Sequence, residues 1–136
     1  MERGTFKHIE QILRDYPYLD TYIANREQEL MYPFNEDRDE NIGGGRSNVP
    51  GKPVERMAIT IADDRRLTSL ERNRQIVDDC LDNTDKETKS IIYELYFKKH
   101  RELTISGVAQ QLHLNDSTVS RKRTAFFEAI RDELGW

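Results

Sequence analysis

Four side chains near the C-terminus, Ser117, Ser120, Arg121 and Thr124, recur at a spacing that puts them on one face of a helix. Short hydroxyl side chains let a helix come close to the floor of the DNA major groove, and an arginine can grip a guanine edge with two hydrogen bonds. Around them lie Thr104, Asn115, Thr118, Lys122 and Arg123, residue types suited to phosphate oxygens rather than base edges. The chemistry implied is recognition by hydrogen bonding and charge, not bond making. No nucleophile with an adjacent base, no carboxylate cluster and no cofactor fingerprint stands out, so no catalytic residue, no cofactor and no enzymatic activity is expected.

Two helices must hold that face in place. Thr104 can cap the first, whose Val108, Ala109 and Leu112 turn inward. Ala109 is small, as two helices crossing at close range require. His113, Leu114 and Asn115 form the turn: Leu114 plugs the space between the helices, and Asn115 is a good N-cap for the second helix, which starts near Asp116. With Val119 pointing in, the four recognition residues point roughly the opposite way. Phe126, Ile130 and Leu134 continue the stripe begun by Val119, so this helix is long and its far end belongs to the core. Two positions depart from the usual pattern of such a helix-turn-helix. His113 opens the turn where glycine is common, and Lys122 stands where an apolar residue is common, its alkyl stem able to cover the core edge while its ammonium reaches solvent.

The helix before the motif is expected to be capped by Thr84, with Asp85 and Glu87 in its first turn and Ile91, Ile92, Leu95, Tyr96 and Phe97 as its apolar face. Lys98, Lys99, His100 and Arg101 follow. They complement the helix dipole and equally suit a DNA phosphate. Residues 84–136 thus read as a DNA-binding domain. Residues 54–83 read as a long amphipathic helix carrying Met57, Ile61, Leu67, Leu70, Ile76, Val77, Cys80 and Leu81, which packs either on its own core or on a second copy of the chain. Residues 32–53 hold most of the glycines and three of the four prolines and read as a flexible linker. Gly43-Gly44-Gly45-Arg46-Ser47 lacks the strand–loop–helix frame and the Lys-Ser/Thr pair of a phosphate-binding loop, which favours a hinge. Residues 1–31 read as an N-terminal helical segment, interrupted at Asp15-Tyr16-Pro17 and carrying Phe6, Ile9, Ile12, Leu13, Leu19, Tyr22, Ile23 and Leu30.

The whole chain of 136 residues carries a net charge of −4, unexpected for a DNA-binding protein. The distribution matters more than the sum. Lys98 to Trp136 is net +2 and the remainder net −6, so the acidity lies away from the motif and reads as an arm that positions it. A lone cysteine, Cys80, fits a reducing compartment and a small core residue. His8, His100 and His113 are scattered without metal-ligand spacing, so no metal site is expected. No signal-type segment or spanning apolar run is apparent, which leads to the expectation of a cytoplasmic protein with no membrane partner.

TDKETKSIIYELYF followed by LTISGVAQQLHLNDSTVSRKR, within residues 84–134, resembles region 4 of bacterial sigma factors. Over nearly its whole length the chain more closely resembles the RinA-type phage transcriptional regulators, relatives of the ArpU group. LRDYP, REQELMYP, ENIGGGRSN with KPVERM, and the terminal ELGW carry that resemblance. It implies a small transcriptional activator from a Gram-positive prophage, acting on late genes such as those for packaging. It also implies binding at double-stranded promoter DNA, contact with host RNA polymerase, and a family role for the Gly43–Gly45 stretch. Alternatives are a sigma-like polymerase-associated factor or a helical adaptor of phage assembly that binds no DNA. A homo-oligomer fits the long helix.

Overall fold

The computed structural model describes residues 1–32, 61, 64–100 and 103–136. Among them every element is helical and none is a strand, so the fold is all-α. Helix α1 spans Arg3–Asp15 and ends in a 3-10 turn, Tyr16–Tyr18. Pro17 lies at the start of that turn, where its missing N–H breaks no helical bond. Helix α2 is Leu19–Met31, α3 is Arg65–Asp82 and α4 is Lys86–Ile92. A π turn, Tyr93–Phe97, extends α4, and α5 (Ile105–Leu112) and α6 (Asp116–Leu134) follow. No helix among the described residues is long and apolar enough to cross a membrane. The linker assigned to 32–53, Tyr32 apart, lies outside the described residues. So do the Gly43–Gly45 stretch, Met57 and the other residues of 54–60 in the expected long helix, and Arg101.

The compact units are drawn differently from the expected segments. One unit comprises Met1–Leu19 with Arg72–Trp136, and the other Asp20–Glu71. In the first unit, α1 buries Ile9, Ile12 and Leu13 in the same cluster as Ile76, Val77 and Cys80 of α3 and Phe126, Phe127, Ile130 and Leu134 of α6. Helix α1 is therefore part of the fold that carries the C-terminal helices, not an arm outside it. The reason is the width of the apolar stripe on α6, which needs a partner along its far half. Phe6 meets Phe127 with ring centroids 4.7 Å apart, and Tyr16 stacks on Phe97 at 4.8 Å while its hydroxyl donates to Asp78. Arg72 donates to the Leu134 carbonyl at the end of α6, at 3.1 Å.

A second, smaller cluster of the same unit contains Ile91, Val108, Ala109 and Val119, flanked by Leu103, Ile105, Leu112 and Leu114. Leu95 touches both clusters. Ile91 serves the small cluster, while Ile92 and Tyr96 serve the large one.

In the second unit the buried apolar residues include Ile23 and Leu67. Arg26 grips Asp64 with two bonds, Nη2 to Oδ1 at 2.7 Å and Nε to Oδ2 at 3.1 Å. The same carboxylate caps α3 by accepting from the Leu67 N–H at 2.8 Å. The guanidinium and the cap together hold the Asp64 carboxyl at about 2, below the usual range.

If α1 belongs to the core, Leu13→Ala should lower the unfolding free energy by about 2–5 kcal/mol, a range shared with Ile130→Ala. Urea denaturation followed by circular dichroism measures both. A loss below about 1 kcal/mol for Leu13→Ala, beside a full loss for Ile130→Ala, would detach α1 from the core.

Candidate nucleic-acid interface

Thr104 caps α5 as expected: its hydroxyl accepts the Gly107 N–H at 3.2 Å. The helix turns Val108 and Ala109 fully inward against Val119 of α6, and Leu114 packs over that cluster from the turn. Ala109 is 2 % exposed. A larger side chain there would have no space without pushing the helices apart.

The turn solves the missing glycine by strain. His113 adopts the left-handed conformation, φ 59 and ψ 43. Its N–H donates to the Gln110 carbonyl at 3.4 Å and the Leu114 N–H donates to Ala109 at 2.8 Å. This pair of bonds is a Schellman motif, whose left-handed residue is usually glycine. The end of α6 repeats the motif with Gly135, φ 83, where the Gly135 N–H bonds Asp132 and the Trp136 N–H bonds Arg131. At residue 113 the left-handed backbone carries a Cβ, a cost that the paired carbonyls and the buried Leu114 offset.

Asn115 occupies the N-cap position of α6 with extended backbone, but its side chain makes no capping bond. Its exposed amide is uncommitted among the described residues. Asp116 opens the helix, and its carboxylate accepts from the Ser106 hydroxyl, tying the start of α6 back to α5. Along the outer face, Ser117 and Arg121 are exposed, while Thr118, Ser120 and Thr124 are half-buried. The four base-reading candidates thus share one face, and no carboxylate among the described residues pairs with Arg121. Glu128 continues that face towards the C-terminus and lies 3.9 Å from Arg131.

Lys122 and Arg123, expected beside phosphates, are engaged elsewhere. Lys122 Nζ is 2.8 Å from Asp85 Oδ2 and 3.5 Å from Glu87 Oε1, at the N-terminus of α4. Arg123 turns towards the core. Its guanidinium lies 5.0 Å from the Phe6 ring centre and Nη1 is 3.4 Å from the Tyr96 hydroxyl. Its buried Nε has no hydrogen-bond partner among the described residues. Tyr96 passes the contact on by donating to Glu10 of α1 at 2.8 Å, and burial with that neighbouring carboxylate pushes its phenol up to about 12. For Arg123 the signal was in the spacing: four residues beyond Val119 returns to within about 40° of the buried face. The partners of Lys122, some 37 positions away in sequence, left no such trace.

Those partners also correct the expected cap of α4. Asp85, not Thr84, is the N-cap, with Oδ1 accepting the Thr88 N–H at 3.1 Å. Its second oxygen takes Lys122, and these two bonds hold the Asp85 carboxyl at about 2 while raising the Lys122 ammonium above its ordinary value. The corner Lys98, Lys99 and His100 follows the π turn; Lys99 and His100 are exposed, and Lys98 lies 3.4 Å from Glu94. Among the described residues no group of His, Cys, Asp or Glu could hold a metal ion.

Residues 5–132 match the family model described as protein of unknown function (DUF722). The chain belongs to this family. Neither the curated proteins nor the solved structures contain a match to it. The family match covers nearly all of α1 and of α6, two of the helices that share the main core.

Two outcomes are expected. His113→Gly relieves the left-handed backbone and should raise the unfolding free energy by about 0.5–1 kcal/mol, read from the shift of the thermal midpoint. An unchanged or lowered midpoint would mean that the histidine side chain contributes contacts worth more than the strain. Second, the Asp85 carboxyl should titrate at about 2 in an NMR pH series. Because its folded value lies below the unfolded one, its contribution to stability is complete above about pH 4 and is lost as pH falls towards 2. Asp85→Asn should remove that part of the acid dependence.

Proposed function

We propose that this chain is a sequence-specific DNA-binding transcriptional regulator whose α5–turn–α6 segment acts as a helix-turn-helix, with α6 in the major groove. The observation that carries the reading is the split character of α6. Its inner face buries Val119, Phe126, Phe127, Ile130 and Leu134, while its outer face offers Ser117, Ser120, Arg121 and Thr124 without a large apolar side chain among them. A hydroxyl-lined face with one uncommitted guanidinium suits base edges and hinders a protein-core contact. Thr104, Asn115 and Thr118 lie at the starts of the two helices, where N–H groups and dipole favour phosphate. Lys122 and Arg123, held by their own neighbours, are no longer assigned to phosphate.

The resemblance to RinA-type regulators and to sigma region 4 extends this reading to promoter DNA of a prophage, activation of late genes such as those for packaging, a cytoplasmic setting and contact with host RNA polymerase. Oligomerisation through α3 belongs to the same proposal. Activity with core polymerase alone would favour the sigma-like alternative.

The test is selection from a randomised duplex pool by the full chain, followed by titration of the enriched duplex at several salt concentrations. Enrichment of a motif and affinity that falls steeply with salt are expected. Arg121→Ala should cost about 1–3 kcal/mol on the enriched duplex and relax discrimination at one base pair. No enrichment, with no salt-dependent affinity for any duplex, would leave the helical adaptor as the surviving reading.

A further inference from the structure

Three features lie beyond the recognition face. A groove of about 300 Å³ between α4 and α5 is lined by Lys89, Ser90, Tyr93, Glu94, Gln111 and Leu112. Met1 and Trp136, both exposed, line a depression with Glu2, Thr5 and Arg131. Nothing in the fold shows what covers either of them. The third feature, the clamp on Lys122, has defined partners on both sides.

We infer that Lys122 is a positioning residue: held by Asp85 and Glu87, it sets the angle at which α6 presents Arg121, and it makes no contact with DNA. The inference rests on the DNA-binding reading of α6. Lys122 and Arg121 are adjacent in sequence and diverge by about 100° around the helix. With Arg121 on the outer face, Lys122 therefore leaves α6 sideways, towards the start of α4. Arg121 is exposed, whereas Lys122 is three-quarters covered and meets two carboxylates. Asp85 is itself fixed, because its other oxygen caps α4 through the Thr88 N–H, and Thr88 is buried. The clamp therefore joins the start of α4 to α6 through a carboxylate that cannot swing freely. On the neighbouring side of α6, Arg123 reaches the Phe6 ring and the Tyr96 hydroxyl. The two cations thus restrain rotation of α6 about its own axis from two sides, and Val119 between them fixes its depth.

The two roles for Lys122 predict opposite signs when its partners are neutralised. In Asp85→Asn with Glu87→Gln, the asparagine keeps the cap of α4. Were Lys122 a phosphate contact, removing two negative charges would free it and strengthen binding. As a positioning residue it loses its anchor, and affinity for the enriched duplex should fall, as it does in Lys122→Met. Exposed ion pairs bound the loss at about fivefold in either variant. Combining the two changes should add little beyond either alone. The slope of log affinity against log salt should remain that of the unmodified chain in Lys122→Met, whereas loss of a phosphate contact would flatten it by about 0.9. Affinity for the unselected pool should be unchanged, a separation that simple loss of folding does not produce. Lys122→Arg, which keeps the charge and its reach, should restore discrimination. A flattened salt slope, or stronger binding in the double carboxylate variant, overturns the inference and leaves the DNA reading intact. Failure of the unmodified chain to enrich any duplex overturns both.

Discussion

One helix has to serve two cores at once, and the fold follows from that demand. Val119, near the start of α6, closes the small cluster with Ile91, Val108 and Ala109. Phe126, Phe127, Ile130 and Leu134, further along the same helix, close the large cluster with α1 and α3. Fully burying side chains of this size stabilises by roughly 1.5–3 kcal/mol each before entropy is counted. The small cluster has few buried residues, so it leans on the large one through the rigid helix between them. The outer face of α6 is free for polar residues because so much of its stability is supplied by the inner one.

The same constraint explains how charge is distributed. Net negative charge says nothing of where single cations point, and they need not all face outward. On α6 they do not. Lys122 and Arg123 are directed to the protein body, where Asp85, Glu87 and, through Tyr96, Glu10 receive them. Part of the acidity of the chain therefore supports α6 directly, by anchoring it. This replaces the picture of an acidic arm held away from a basic head, since α1 carries Glu10 into contact with the same network that holds α6.

Among the described residues, backbone strain is concentrated at the His113 turn. A left-handed residue with a Cβ is tolerated there because the Ala109 and Gln110 carbonyls require partners and because Leu114 must be delivered into the small cluster. The π turn at Tyr93–Phe97 is a second irregularity, and its Leu95 touches both clusters. Both irregularities adjoin the small cluster, through Leu114 and Leu95.

Much of this was legible from residue types and spacing. Helical periodicity marked the inner stripe of α6, Thr104 marked the start of α5, and Ala109 with Leu114 marked the crossing, because these signals depend on neighbours within a turn or two. The oddity of His113 was visible as a missing glycine. Spacing also contained the inward turn of Arg123, although its basic character suggested phosphate. What local pattern could not supply were the pairings across long separations: α1 against α6, Lys122 with Asp85 and Glu87, and the choice of Asp85 over Thr84 as cap. Each depends on which helix faces which after collapse, and a charge carries no mark of its eventual partner. The sequence by itself determined the helices, the turn and the polar face; tertiary packing decided which cations that face keeps, because buried apolar area decides which side of α6 meets the protein body, and the charged side chains on that side pair with what they find there.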